Sequence, residues 1–178
     1  MKNTSVVLLV ILVLLVGATL QFRHYYPILP DPLATHFGAN LQADAWTAKR
    51  GFFVTYALVE IGMLVILLVP VFFSKRLPTS MINMPNRDYW FAPERFEDTW
   101  LKVSTFSLWM AAATLAFLIG IAELMFRANL ADPAAPRLGS TFGWLIGSFV
   151  VVVGIGTIYF YRHFSRIPRD PRTPPAPE

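Results

Sequence analysis

Four long apolar stretches alternate with shorter polar segments along the chain. They cover residues 3–22, 51–73, 103–126 and 138–161. Because an α-helix rises about 1.5 Å per residue, each stretch is long enough to cross a hydrocarbon layer about 30 Å thick. The pattern therefore predicts an all-α integral membrane protein with four transmembrane helices in a single domain, residues 1–165. The charged and Pro-rich residues 166–178 predict a disordered cytoplasmic tail.

Composition agrees with this class. Hydrophobic residues make up 55% of the 178 residues and charged residues only 15%, against roughly 25% in an ordinary soluble domain. Cysteine is absent, which excludes disulfides and thiol chemistry. The net charge of +4 does not indicate nucleic acid, because the basic residues flank apolar stretches and no basic aromatic surface or phosphate-binding glycine loop is present.

The first apolar stretch also has a feature of signal peptides, since Val16-Gly17-Ala18 is a passable cleavage site. Its apolar core is long for a signal, and three more apolar stretches follow. We therefore expect it to be retained as the first transmembrane helix.

The distribution of lysine and arginine predicts the orientation, because these residues are enriched on the cytoplasmic side. With the N-terminus inside, ten lie in inner segments: Lys2, Lys75, Arg76, Arg87, Arg95, Lys102, Arg162, Arg166, Arg169 and Arg172. Five lie in outer loops: Arg23, Lys49, Arg50, Arg127 and Arg137. The sequence thus predicts both termini inside and a structured outer loop, residues 26–51, between the first two helices.

The inner connector, residues 74–102, combines a turn signal with aromatic residues. Asn86 follows a proline, and Pro93 suits the first turn of a helix, with Glu94 near its positive end. We expect this helix to continue into the third span. Five aromatic residues suit the headgroup level: Tyr89, Trp90, Phe91, Phe96 and Trp100. The connector is therefore either an interfacial anchor or a docking surface for a cytoplasmic partner.

Small residues recur every four positions in the last two spans. They are Ala112, Ala116 and Gly120 in the third, and Gly139, Gly143 and Gly147 in the fourth. Such stripes let helix backbones approach closely in a membrane. We expect a tight antiparallel contact between these two helices along the stripes.

Glu60 is the single charged residue in the second stretch. A carboxyl group inside a membrane usually faces the bundle interior or a water path. Two interpretations stay open: polar glue between helices, or a proton- or ligand-binding site. Four residues at a similar depth could bond to it: Thr55, Tyr56, Thr114 and Ser148. Glu123, one turn before Arg127, predicts an ordinary exposed ion pair.

The outer loop concentrates residues that carry chemistry: Asp31, His36, Asn40, Gln42, Asp44 and Trp46. His36 with Asp31 or Asp44 suits an acid–base pair or part of a metal site, but no metal-ligand spacing or nucleophile elbow supports a metal or a catalytic residue. We expect a compact cap with a turn at Gly38. Four apolar residues would pack on the helix ends: Leu29, Leu33, Phe37 and Trp46.

Two motifs carry a family resemblance. Leu29-Pro30-Asp31, His36-Phe37 and Asp44-x-Trp46 resemble the signature of a bacterial membrane domain of unknown function, although Leu41 stands about where that signature has glycine. A second motif is similar to the connector of the same proteins and contains Asn86, Asp88, Tyr89, Trp90 and Glu94.

That domain is found at the N-terminus of SdpI-like immunity proteins, and the resemblance covers roughly residues 5–105. It implies residence in a bacterial cytoplasmic membrane. In the immunity proteins it also implies protection against a secreted toxin and sequestration of a cytoplasmic repressor.

Together these features predict a non-enzymatic sensor or immunity-type protein without a cofactor. Its outer loop would meet an extracytoplasmic peptide or ligand through Asp31, His36, Phe37, Asp44 and Trp46. Its connector would meet a cytoplasmic or membrane partner, and lipids would surround the helices. Two alternatives remain: a small proton-coupled transporter built around Glu60, and an accessory subunit of a larger membrane complex.

Overall fold

The computed structural model describes residues 2–72 and 78–168, with side chains at 4–65, 78–80 and 82–168. In chain order the elements are α1 (Lys2–Tyr25), β1 (Leu33–Phe37), β2 (Ala43–Thr47), α2 (Lys49–Phe72), a 3₁₀ turn (Thr79–Met81), α3 (Arg87–Trp90), α4 (Phe96–Ala131) and α5 (Thr141–Ser165). The prediction of a mostly helical chain is confirmed. The all-α prediction is wrong in one respect, because the segment between α1 and α2 forms a β-hairpin.

Within the described residues, three helices are long and apolar enough to cross a membrane: Thr4–Tyr25, Phe96–Ala131 and Thr141–Ser165. The second predicted span falls on α2, whose side chains are described only as far as Val65. A membrane crossing by α2 therefore stays a prediction, and residue 73 lies outside the described residues. The helix expected from Pro93 begins at Phe96 and does continue without a break into the third span.

Helix α4 is the centre of the helical arrangement, because α1, α2 and α5 each pack along it. Over its first half, Val7 and Ile11 of α1 are buried against α4. The α4 residues in this contact are Leu108, Ala111 and Ala112. Ala112 thus faces α1, not α5 as the small-residue stripe predicted.

An aromatic cluster joins α1, α2, α4 and β1 at the end of the molecule that carries the hairpin, called the hairpin end below. Its buried members are Tyr25, Leu29, Leu33, Phe53, Ala122, Met125 and Phe126. The rings of Phe53 and Phe126 stack at 5.5 Å, and Phe22 meets Phe53 edge-on at 4.9 Å. Such ring pairs add about 0.5–1.5 kcal/mol each beyond the area that they bury. The hairpin packs on this cluster through Leu33 and Phe37.

Helices α4 and α5 pack antiparallel, as predicted, but large side chains make the contact. Phe117 stacks on Phe149 with ring centroids 4.1 Å apart, and Phe106 lies 4.5 Å from Phe160. No atom lies within 4 Å of a Cβ added at any of three glycines, Gly139, Gly143 and Gly147. These three glycines therefore do not form the predicted contact, whereas Gly120 of the α4 stripe does face α5, since a Cβ added there would lie 3.1 Å from the Leu145 side chain.

Some predictions fall outside the described residues. The positive inner residues Lys75, Arg76, Arg169 and Arg172 lie there, as does the predicted tail apart from residues 166–168. The structure does place α1's start, α4's start and α5's end together, at what is called the connector end below. Thr4 of α1 lies 3.2 Å from Thr105 of α4 there, oxygen to oxygen. Which end faces the cytoplasm stays a prediction.

Candidate functional site

The outer-loop residues lie on an antiparallel hairpin formed by β1 and β2. Its register runs from Leu33 opposite Thr47 to Phe37 opposite Ala43, with irregularities on both sides of His36. Leu33 and Phe37 pack at the aromatic cluster and Ala34 is fully buried, whereas His36 is exposed. The hairpin therefore has one face for packing and one that is open to a ligand.

The hairpin turn depends on an unusual backbone conformation at Leu41. The Gly38 N–H donates to the Gln42 carbonyl at 2.9 Å, and the Leu41 N–H donates to the Gly38 carbonyl at 2.8 Å. Leu41 has a φ of 63°, in the left-handed region that glycine adopts most easily. No described glycine has positive φ. The conformational freedom expected of Gly38 is thus required at Leu41 instead.

Asn129 of α4 holds the hairpin to the helices. Its Oδ1 accepts the Ala34 N–H at 2.7 Å, and its Nδ2 donates to the Ala34 carbonyl at 3.0 Å and to the Met125 carbonyl at 2.9 Å. Asn129 is 1% exposed and Ala34 is fully buried. Buried backbone groups need partners, so this one amide satisfies the inner edge of β1.

The loop after α4 adds a second attachment at the turn. The Ala43 N–H donates to the Pro136 carbonyl at 3.0 Å, and the Leu138 N–H donates to the Leu41 carbonyl at 2.9 Å. Residues 136–138 thus extend the hairpin beside the start of β2. The hairpin is fixed on two sides, and its position relative to α4 is defined.

Asp31 has a structural role in this site. Its Oδ1 accepts the backbone N–H of Lys49 at 3.0 Å, at the first residue of α2. The first N–H groups of a helix have no partner within the helix, and a carboxylate is favourable at that end. The Lys49 ammonium in turn donates to the Leu29 carbonyl at 2.9 Å. Asp31 therefore closes the base of the hairpin and does not join His36.

The open face of the hairpin carries His36, Asp44 and Trp46. His36 Nδ1 lies 2.5 Å from Asp44 Oδ1, with side chains 70% and 52% exposed. Trp46 is 45% exposed, so the prediction that it packs on the helix ends is wrong, whereas Phe37 does pack against the aromatic cluster. The structure thus selects Asp44, not Asp31, as the partner of His36.

This arrangement offers groups that can bind a ligand through hydrogen bonds and apolar contact. The hydroxyl groups of Thr35 and Thr47 on the hairpin bond to each other, with their oxygens 2.9 Å apart. Among the residues that the structure describes, no group of three His, Asp or Glu is placed to hold a metal ion. A His–Asp pair can donate and accept hydrogen bonds, and an exposed tryptophan offers a large apolar surface.

Glu60 is buried between α2 and its neighbours and is 7% exposed. Its Oε1 and the hydroxyl of Tyr56, one turn earlier, are both buried and interact with each other, but neither forms a hydrogen bond of good geometry within the described part of the chain. Ser148 does not reach Glu60, because its hydroxyl donates to the Leu145 carbonyl of α5. An unpaired buried polar atom is costly, which marks this position for a functional test.

Glu123 is not the simple surface pair that the sequence predicted. Besides Arg127, which donates to its Oε1 at 2.6 Å, it accepts from Gln21 at 2.9 Å and from the Tyr25 hydroxyl at 2.8 Å. Gln21 also donates to the Ile119 carbonyl at 3.2 Å. Glu123 therefore joins α1 to α4.

The connector lies against the end of α5. Asn86 donates to the carbonyls of Phe164 and Ser165, both at 3.1 Å, and the Trp90 indole N–H donates to the Phe164 carbonyl at 2.7 Å. The last carbonyls of a helix lack intrahelical partners, and these two side chains supply the missing hydrogen-bond donors at the C-terminus of α5. Thr99 of α4 donates to the Trp90 carbonyl at 2.7 Å and fixes the connector to α4.

The remaining connector residues divide into packed and exposed groups. The Arg95 guanidinium lies 4.0 Å from the centre of the Tyr89 ring and donates to the Tyr89 carbonyl at 2.9 Å. Asp88 pairs with its neighbour Arg87, at 3.3 Å, and Glu94 is exposed. Among the five connector residues that the sequence singled out, Asp88 and Glu94 thus leave a carboxylate exposed to a partner.

Sequence reasoning missed Asn129. It lies just past the third apolar stretch, residues 103–126, and close to Arg127, so no local pattern pointed to it. The Asn86 and Trp90 bonds were also not predicted, since a turn signal says nothing about which helix end it meets.

The fold and site together define a class: a protein of membrane-type helices with a clamped β-hairpin at one end and a folded connector at the other. A family model described as a domain of unknown function (DUF1648) matches residues 8–59. The match takes in most of α1, the hairpin and the first part of α2, and it ends before the connector. No curated protein and no solved structure matches the chain.

Proposed function

We propose that this chain is a non-enzymatic sensor or immunity-type protein of a bacterial cytoplasmic membrane. Its hairpin faces the outside, with both termini inside and α2 as the fourth transmembrane helix. The hairpin binds an extracytoplasmic peptide through its open face, and the connector passes the bound state to a cytoplasmic or membrane partner. The SdpI-like resemblance of the two loop motifs favours this class.

The observation that carries this function is the two-sided construction of the hairpin. One side is fixed by Asn129, while the other exposes Trp46 beside the His36–Asp44 pair. An exposed tryptophan beside a polar pair suits an anchor for a partner, because tryptophan is enriched among the residues that dominate binding energy. The family match over residues 8–59 includes this entire face.

The test compares material recovered with the tagged chain from its native membrane. We expect one stoichiometric species to co-purify with the wild type and to be lost, at normal expression, from Trp46→Ala and His36→Ala. Trp144→Ala is the matched control, because Trp144 is 80% exposed but lies on α5. Recovery that is identical with the hairpin variants would contradict a binding role for the hairpin. Loss with Trp144→Ala alone would instead favour an accessory subunit that docks through α5.

A second candidate function, proton-coupled transport, is favoured by one observation: the buried Glu60 Oε1 lies beside the Tyr56 hydroxyl, and neither forms a hydrogen bond of good geometry among the described residues. A carboxyl group in such a place can take up and release a proton as its surroundings change. Glu60→Gln keeps the shape of the side chain but removes its titratable group. Uptake of the transported solute by vesicles that contain the purified chain should then no longer depend on a pH gradient. Tyr56→Phe removes the neighbouring hydroxyl without removing the carboxyl group and is the control. Uptake that is the same in wild type and Glu60→Gln would exclude a proton-coupled carrier.

A further inference from the structure

A groove opens between α1, α4 and α5 at the connector end. It has a volume of about 820 Å³, within the range of about 300–1,000 Å³ that is common for ligand sites. Its lining extends along α4 from Asp98 to Met110. At about 1.5 Å per residue this is about 18 Å, a little more than half of a hydrocarbon layer about 30 Å thick. The groove is therefore as long as one leaflet is deep.

The polar and apolar residues of the groove are segregated. Asp98, Lys102 and His163 lie at its mouth, where α4 begins and α5 ends. Its deeper part is lined by apolar side chains, among them Trp109, Met110 and Ile155. A lipid molecule has the same polarity profile along its length.

The mouth of the groove presents both signs of charge. Lys102 Nζ lies 2.7 Å from Asp98 Oδ2, and both side chains are partly exposed, at 41% and 69%. His163 stacks on Trp90 with ring centroids 5.6 Å apart, and its Nε2 is buried with no hydrogen-bond partner among the described residues. A headgroup that carries one phosphate and one ammonium matches this pair of charges, whereas a purely anionic headgroup would meet the carboxylate of Asp98.

We propose that this groove binds one phospholipid with an ethanolamine headgroup. The phosphate lies at Lys102, the primary ammonium at Asp98, and one acyl chain follows Trp109, Met110 and Ile155 into the leaflet. This site is separate from the hairpin, and the proposal does not depend on the function that the hairpin serves. It makes the lipid a component that joins the start of α4 to the end of α5.

The test uses the purified full chain in micelles with equal amounts of phosphatidylethanolamine, phosphatidylglycerol and phosphatidylcholine of identical chains. Native mass spectrometry counts the lipids that stay bound. We expect the wild type to retain one phosphatidylethanolamine. Gly156→Leu should lose it, because a Cβ at Gly156 already lies 2.9 Å from Met110 Cε and a larger side chain would fill the groove. Gly154→Leu is the matched control, since nothing lies within 4 Å of its Cβ position.

Charge variants keep the test informative if Gly156→Leu does not fold. Asp98→Asn should lower the preference for phosphatidylethanolamine over phosphatidylglycerol by about fivefold, as expected for the loss of one exposed ion pair. Arg87→Gln, at a partly exposed basic residue that does not line the groove, should not change this preference. Equal retention of the three lipids by the wild type, or no effect of Asp98→Asn, would overturn this site. Dimers that Gly156→Leu abolishes would assign the groove to a second copy of the chain instead.

Discussion

The Asn129→Ala variant is expected to lose about 3 kcal/mol of stability and to release the hairpin from α4. The substitution leaves the Ala34 N–H and carbonyl buried without partners, and each such group costs about 1–3 kcal/mol. The methyl group of alanine replaces none of the three hydrogen bonds that the amide makes. The hairpin should then separate locally, because opening to water satisfies the exposed edge of β1.

Two measurements together check the Asn129 prediction. Thermal unfolding in detergent reports the stability, and limited proteolysis reports cleavage between Leu33 and Thr47, which should become much faster. Asn83→Ala is the control, since Asn83 is exposed at the other end. Unchanged protection of the hairpin in Asn129→Ala would mean that the aromatic cluster and residues 136–138 hold it without the amide.

The second large effect is expected at Trp90. Trp90→Ala should cost about 3–5 kcal/mol, the range for removing a large buried aromatic side chain, because Trp90 is 7% exposed within a cluster that includes Phe160 and Phe164. Trp90→Phe keeps most of the ring packing but removes the donor to the Phe164 carbonyl. It should therefore cost less, about 1–2 kcal/mol.

Unfolding in mixed micelles of a mild detergent and SDS measures the stability of these variants, which are ranked by the SDS fraction at the unfolding midpoint. Trp144→Ala supplies the comparison, because the same side chain is removed from an exposed position on α5, and its midpoint should stay near that of the wild type. Equal midpoints for Trp90→Ala and Trp144→Ala would show that the connector contributes nothing to the stability of α5.

The helices could be predicted because each apolar stretch is long and uninterrupted, so helix boundaries followed to within a few residues. The hairpin was not predicted, since LATHF and ADAWT are five-residue strands and such short runs carry little periodicity. The spacing of glycines likewise showed that small residues recur at the start of α5. It could not show whether they face α4 or point away from it. Packing against α4 decides that direction, and α4 contacts depend on large side chains such as Phe117 and Phe149.

The sequence predicted which residues belong to the hairpin site but not which of them contact one another. His36 and Asp44 are eight residues apart, and only the register of the two strands brings them to 2.5 Å. Asp31 is closer to His36 in sequence, at five residues, yet its carboxylate accepts the backbone N–H of Lys49 at the start of α2. Asn129 is 95 residues from Ala34, and no local pattern encodes such a distant bond. Residue types therefore indicated where chemistry is concentrated, while tertiary contacts decided which groups meet.

The central position of α4 has a consequence for synthesis. Chains fold largely from the N-terminus as they are made, but here the element that the others pack against comes after α1, the hairpin and α2. Val7, Ile11 and Ala34 are buried by residues beyond 107. The family-matched segment, residues 8–59, therefore has an uncovered face until α4 has been synthesised, and expressed alone it would lack the helix that covers this face.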